Sequence, residues 1–143
     1  MHALSTPTIQ DAQTLLETVE LLSNDLEEKM MESFLGIYSE DRLVAMGGLE
    51  IYGGYALLRS VATAPTHQRQ GLAGQIVAAL EILSAQAGVA DLYLLTESAE
   101  SHFSKLGFCR VERDVAPHAI AQTGQFRDLC PDSAAFMHKR LGS

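Results

Sequence analysis

The apolar residues change from strand to helical period at Pro65, and that change limits the folds the chain can adopt. Before it, Phe34-Leu35-Gly36-Ile37-Tyr38, Leu43 to Ile51 and Tyr55 to Ala62 are β-rich runs. They are separated by the polar Ser39-Glu40-Asp41 and by Gly53-Gly54, so three antiparallel strands joined by short turns are expected. After it, Leu72, Ile76, Ala79, Leu80 and Leu83 fall on one face of a helix from about Gly71 to Ala87, with Gly88 as its stop. Leu92-Tyr93-Leu94-Leu95 then has the composition of a buried strand.

The flanks are read the same way. A helix fits Ser98 to Leu106, ended by Gly107, and Phe108 to Val111 begins another strand. A short helix is expected at Pro117 to Gln122, with Pro in the first position, and a last strand at Ala134 to His138. Between Thr8 and Met31, residues Ala12, Leu15, Leu16, Val19, Leu22 and Leu26 recur at helical spacing. The break at Ser23-Asn24-Asp25 divides that stretch into two short helices, the second capped by Asn24 or Asp25. A meander followed by strand, helix and strand implies an α/β (α+β) fold, a mixed sheet with helices on both faces. At 143 residues, with neither repeat nor linker, residues 1–143 are expected to form one domain.

Charge and cysteine content narrow the function classes. A formal charge of −8 argues against a nucleic-acid surface, which normally rests on a basic face. No run approaches the ~20 apolar residues needed to cross a bilayer, so no membrane partner is expected. Nothing at the N-terminus has the pattern of an export signal, and Cys109 and Cys130 are expected to be free thiols in a reducing cytoplasm, packing residues before they are ligands. The five histidines are scattered and neither cysteine has a nearby partner, so no metal site is expected.

The chemistry concentrates in Val61-Ala62-Thr63-Ala64-Pro65-Thr66-His67-Gln68-Arg69-Gln70-Gly71-Leu72-Ala73-Gly74, a strand, a loop and a glycine-containing helix start. The first N–H groups of a helix have no partner within it, and the helix dipole adds partial positive charge there, so such a segment suits an anion. Small residues at Gly71, Ala73 and Gly74 would let a bulky pyrophosphate approach the backbone. No Lys-Ser or Lys-Thr follows the glycines, which argues against a nucleotide-hydrolysing loop. The bland alternative is a helix start at Gly71 with Gly74 as a small packing residue.

The run Gln68-x-x-Gly71-x-Ala73, preceded by Val61-x-x-x-Pro65, resembles the signature of the GNAT acetyltransferases. Ala99 and Leu106-Gly107-Phe108 are similar to that family's later helix and strand. The resemblance covers about Phe34 to Val111 and implies a mostly antiparallel sheet of six to seven strands. It implies that Val61, Ala62 and Thr63 pair with the pantetheine arm of acetyl-coenzyme A, and that Gln68, Arg69, Gln70, Gly71, Ala73 and Gly74 hold its pyrophosphate. It also implies acetyl transfer to the amine of a small-molecule acceptor by direct attack, with a homodimer by analogy. More narrowly, Leu58-Arg59-Ser60-Val61-Ala62, Leu94-Leu95-Thr96, Leu106-Gly107-Phe108 and Leu129-Cys130-Pro131 with Ser133 look similar to the GNAT-like proteins of arsenic-resistance operons.

The chain departs from the family at the Tyr placed to protonate the departing thiolate, which is Phe103 here. A benzene ring donates no proton, so a coenzyme A-binding or sensing protein with weak or no catalysis is the alternative function. His102 is a candidate acid or base, but neighbouring helical positions point about 100° apart, so only one of His102 and Phe103 readily faces a thioester. Thr96, where the family has Asn, Ser98 and Ser101 are comparable outsiders. Glu50 and Glu97 are candidate bases that no motif recommends. Arg59 lies in an apolar run, where an unpaired buried cation is costly. It must face solvent, pair with a carboxylate, or hold an anion of the acceptor.

Overall fold

The computed structural model describes residues 3–21, 23, 25–124, 126–127 and 134–141. Six strands form one sheet in the order β1-β2-β3-β4-β6-β5: β1 Phe34–Ser39, β2 Arg42–Tyr52, β3 Tyr55–Thr63, β4 Asp91–Thr96, β5 Cys109–Arg110 and β6 Ala135–Arg140. The helices are α1 Ile9–Thr18, α2 Leu72–Gln86, α3 Glu100–Lys105 and α4 His118–Ala121. The mixed, mostly antiparallel fold expected from the sequence is the one observed. The chain divides into two compact units, one comprising residues up to Glu50 with Arg59–Leu83, the other Ile51–Leu58 with residues from Ser84 onward.

In the first unit α1 begins where Thr8 Oγ1 accepts a bond from Asp11 N–H at 3.1 Å, a side-chain N-cap. The helix buries Ala12, Leu15 and Leu16. It ends when Glu20 turns left-handed, at φ 61°, and Leu21 N–H bonds Leu16 O at 2.8 Å. The expected second helix is instead a 3-10 turn at Glu28–Ser33. Asp25 does not cap it, because its carboxylate is drawn to Arg59; Asn24 lies outside the described residues. Tyr38 ties β1 to α1 by donating to Asp11 at 2.7 Å. Burial first, and that bond second, push its phenol above the usual range.

Two glycines of β2 set how closely its faces are approached. Phe34 stands opposite Gly48 in the antiparallel register, and a Cβ at Gly48 would overlap the Phe34 ring. Gly47 faces the other way, where a Cβ would lie 2.8 Å from Ile76 and 3.1 Å from Leu80 of α2. One strand thus carries an aromatic ring on one face and a helix against the other. Phe34 is 1% exposed and has no room to yield. Gly48→Ala is therefore expected to cost about 1–3 kcal/mol, read as a lower urea midpoint at unchanged slope.

In the second unit β4 runs parallel to the start of β3, Tyr55 opposite Asp91 and Leu57 opposite Tyr93, and antiparallel to β6, Asp91 opposite Arg140 through Thr96 opposite Ala135. Leu57, Tyr93, Ile120 and Phe136 form its core, with the Tyr93 and Phe136 rings stacked at 5.3 Å. Several bounds differ from expectation. α3 is confined to Glu100–Lys105, because Ala99 N–H is taken by Thr96 Oγ1 at 3.0 Å and Ala99 sits in the capping position. Pro117 is the cap of α4, outside the helix. β5 has only two paired residues, and Cys109 on it is exposed and free, not packed. The last strand begins at Ala135 and continues to Arg140. Cys130, with the rest of 128–133, lies outside the described residues.

Candidate functional site

The loop that the sequence singles out lies within the first unit, between the end of β3 and α2. Ala64 N–H bonds Val44 O at 2.7 Å, pinning the exit of β3 to β2, and Pro65–His67 make one 3-10 turn closed by His67 N–H to Ala64 O at 2.9 Å. The backbone then becomes left-handed twice within three residues, at Arg69 with φ 65° and Gly71 with φ 78°. A non-glycine residue in that region stores about 1 kcal/mol or more, a cost that clusters at binding sites. Gly71 is the residue before the helix, and its carbonyl accepts the first intrahelical bond, from Gln75 N–H at 3.1 Å. The N–H groups of Leu72, Ala73 and Gly74 therefore belong to the turn that has no carbonyl partner inside a helix.

The surroundings of this turn favour an anion. α2 has no acidic residue in its first turn. Gln68, Arg69, Gln70 and Gly71 are exposed, and a Cβ placed on Gly71 would meet nothing within 4 Å. The space before the helix start is open, and it is the positive φ that reserves the position for glycine. Gln68 Nε2 lies 3.4 Å from Thr63 O, a long contact across the loop. Val61 and Thr63 are half-buried and Ala62 is buried among Leu16, Met31, Leu43 and Met46. Ser60, just before them, is left-handed at φ 57° inside the strand, and no residue pattern announced it.

Arg59 takes the second of the three courses open to it. It is 5% exposed, and its guanidinium is held by two carboxylates. Nη1 donates to Glu50 Oε2 at 2.7 Å, and Nη2 lies 2.8 Å from Asp25 Oδ1 and 2.7 Å from Oδ2. Nε donates to Ser60 Oγ at 3.1 Å. Glu50, a candidate base, and Arg59, for which a carboxylate partner was one of three courses, are brought together by the fold. Asp25 was missed as their partner, and the only signal for it was that a buried guanidinium requires a counter-charge.

The remaining candidates lie in the second unit. Glu97 and His102 are exposed. Phe103 is 6% exposed and packs edge-on against Phe108 at 5.9 Å, while the His102 ring meets it at 5.4 Å. Thr96 Oγ1 accepts from Ala99 N–H just before α3, which gives that hydroxyl a structural task. Among the described residues, no His, Cys, Asp and Glu form a group able to hold a metal ion, and no helix is long and apolar enough to cross a membrane.

Residues 4–108 match the sequence pattern of the acetyltransferase (GNAT) family, well over half of the chain. The chain belongs to the GNAT family. That family is one of acetyltransferases. Solved structures of other proteins share the fold at low identity. The N-acetylglutamate synthase of Neisseria gonorrhoeae, complexed with coenzyme A and N-acetyl-glutamate, superposes with a TM-score of 0.86 at 15% identity over 100% of this chain and 36% of that one. This chain thus spans about a third of that synthase. The PaiA N-acetyltransferase of Thermoplasma acidophilum, in complex with coenzyme A, gives a TM-score of 0.68 at 16% identity over 98% of this chain and 99% of that one. A Mycobacterium tuberculosis protein in complex with coenzyme A gives 0.78 at 16% identity over 98% and 99%. No protein of curated function matches this GNAT chain significantly by sequence.

Proposed function

We propose that the chain is a single-domain N-acetyltransferase that moves an acetyl group from acetyl-coenzyme A to the amine of a small-molecule acceptor by direct attack in a ternary complex. One observation carries the proposal: the left-handed Arg69 and Gly71 lead into a helix start with no acidic residue in its first turn and open space around Gly71. The pyrophosphate would be held by the N–H groups from Gln68 to Gly74, and the backbone of Val61 to Thr63 would pair with the pantetheine arm. An N–H near Val61 would polarise the thioester carbonyl as negative charge develops on its oxygen. The amine nitrogen forms the new bond to that carbon, the carbon–sulfur bond breaks, and the thiolate leaves with the bonding pair. The proton lost by the amine passes to a base or to water, and solvent protonates the thiolate in place of a tyrosine. Orientation of the two reactants would supply much of the rate.

Calorimetric titration with acetyl-coenzyme A, followed by a thiol-release assay over a panel of amines, tests the reading. Micromolar binding with release of one thiol per acetylated amine is the expected result; absence of binding overturns it. The second reading, a coenzyme A-binding protein without turnover, is favoured by the buried Phe103 in the tyrosine position, and predicts binding with no thiol release. The narrower resemblance to arsenic-resistance GNAT-like proteins, a cytoplasmic location suited to the free Cys109, and pairing into a homodimer belong to the same proposal.

A further inference from the structure

Among the described residues, Arg59 is the one charged side chain that is buried, and each of its three nitrogens is engaged. Its two carboxylate partners arrive by different routes. Glu50 stands on β2, the adjoining strand of the hairpin, so the sheet itself brings it there. Asp25 comes from the connection between α1 and the 3-10 turn, 34 residues away in sequence. Both of its oxygens lie within hydrogen-bond reach of the same Nη2. The guanidinium also sits beside left-handed Ser60, immediately before Val61 to Thr63, the strand segment along which the acetyl donor is proposed to lie. A carboxylate next to an attacking amine would find its natural partner here.

We propose that Asp25 is a specificity-determining residue: it fills the anion position of Arg59 from within the chain, so that the acceptor is an amine bearing no carboxylate beside its reacting nitrogen. This rests on the acetyltransferase reading for its consequence, though not for its geometry. The physical reason is concentration. A tethered carboxylate acts at an effective concentration on the order of millimolar or above, whereas a free carboxylate meeting one guanidinium has little affinity with which to displace it. The 2% exposure of the Arg59 side chain leaves no second approach while Asp25 is in place.

The test uses acetate as the probe. In Asp25→Gly the guanidinium loses its tethered partner, and acetate is expected to raise the unfolding temperature saturably and beyond chloride at equal ionic strength, whereas wild type responds alike to both salts. An Asp25→Gly protein that responds alike to both salts overturns the proposal. Should that variant fail to fold, Asp25→Asn, which keeps the side-chain shape, carries the test through acceptor choice. Wild type is expected to favour putrescine over glutamate by about tenfold or more in kcat/KM, and Asp25→Asn to narrow that ratio through a lower KM for glutamate, with the KM for acetyl-coenzyme A unmoved. Wild type using glutamate as well as putrescine overturns the proposal. If no amine is acetylated at all, the acetyltransferase reading fails separately, and the acetate titration still decides whether Arg59 is a covered anion site.

Discussion

Arg59→Met is expected to lower the stability of the fold by about 3 kcal/mol, the low end for breaking a buried ion pair by removing one partner. The low end applies because the Asp25 and Glu50 side chains keep 20% and 15% of their exposure and so retain some water. What the substitution loses is the counter-charge of two carboxylates at once: Glu50 on β2 and Asp25 on the connection after α1 would both face an apolar thioether. The methionine stem preserves most of the packed volume, so the cost is electrostatic and not a cavity. Urea unfolding measures it, and a thermal scan should show a fall of roughly 3 °C per kcal/mol for a chain of this size. The triple substitution Arg59→Met, Asp25→Asn, Glu50→Gln removes all three charges and should recover part of the loss. If it is no more stable than the single variant, the network is held by packing and not by charge.

Gly71→Glu is expected to abolish acetyl-coenzyme A binding, by at least about a hundredfold, without unfolding the protein. Two effects act together. The position has φ 78°, where a Cβ costs roughly 1–2 kcal/mol. The new carboxylate would also project into the open space at Gly71, where the proposed pyrophosphate needs the first N–H groups of α2. For the fold these effects offset each other in part, since an acidic side chain at a helix N-terminus gains about 0.3–1 kcal/mol from the dipole. Gly71→Ala separates them: it carries the conformational cost without the charge and should weaken binding by only about tenfold. Titration calorimetry on both variants gives the answer. A Gly71→Glu protein that binds like wild type would place the phosphate cradle elsewhere.

The parts of this protein that could be read from its sequence are those decided within a few residues. The helix start at Leu72 follows from apolar residues at helical spacing behind a glycine, and the stop at Gly88, φ 88°, from the one residue that adopts that conformation without strain. The turn at Gly53-Gly54 and the loop from Gln68 to Gly71 are local in the same sense, which is why a loop leading into a helix start could be read there from sequence. The left-handed Ser60 and Arg69 were not, because neither residue type prefers that region and only the surrounding fold imposes it. Nor was the two-residue extent of β5, since strand length is set by the partner strand. Spacing of apolar residues also made a helix of the segment around Met30 and Met31, where the chain forms a 3-10 turn.

The deepest division runs through Arg59. Its apolar sequence context left three courses open, solvent, a carboxylate or an acceptor anion, because a buried guanidinium without a counter-charge is too costly to keep. Which of the 18 acidic residues would supply it was left open, and the fold chose Glu50 across a hairpin and Asp25 from 34 residues away. Local sequence determined that the charge must be met if it is buried, because desolvation acts on the residue itself. Tertiary structure alone determined what meets it, because a contact between distant segments exists only once the sheet has brought them together.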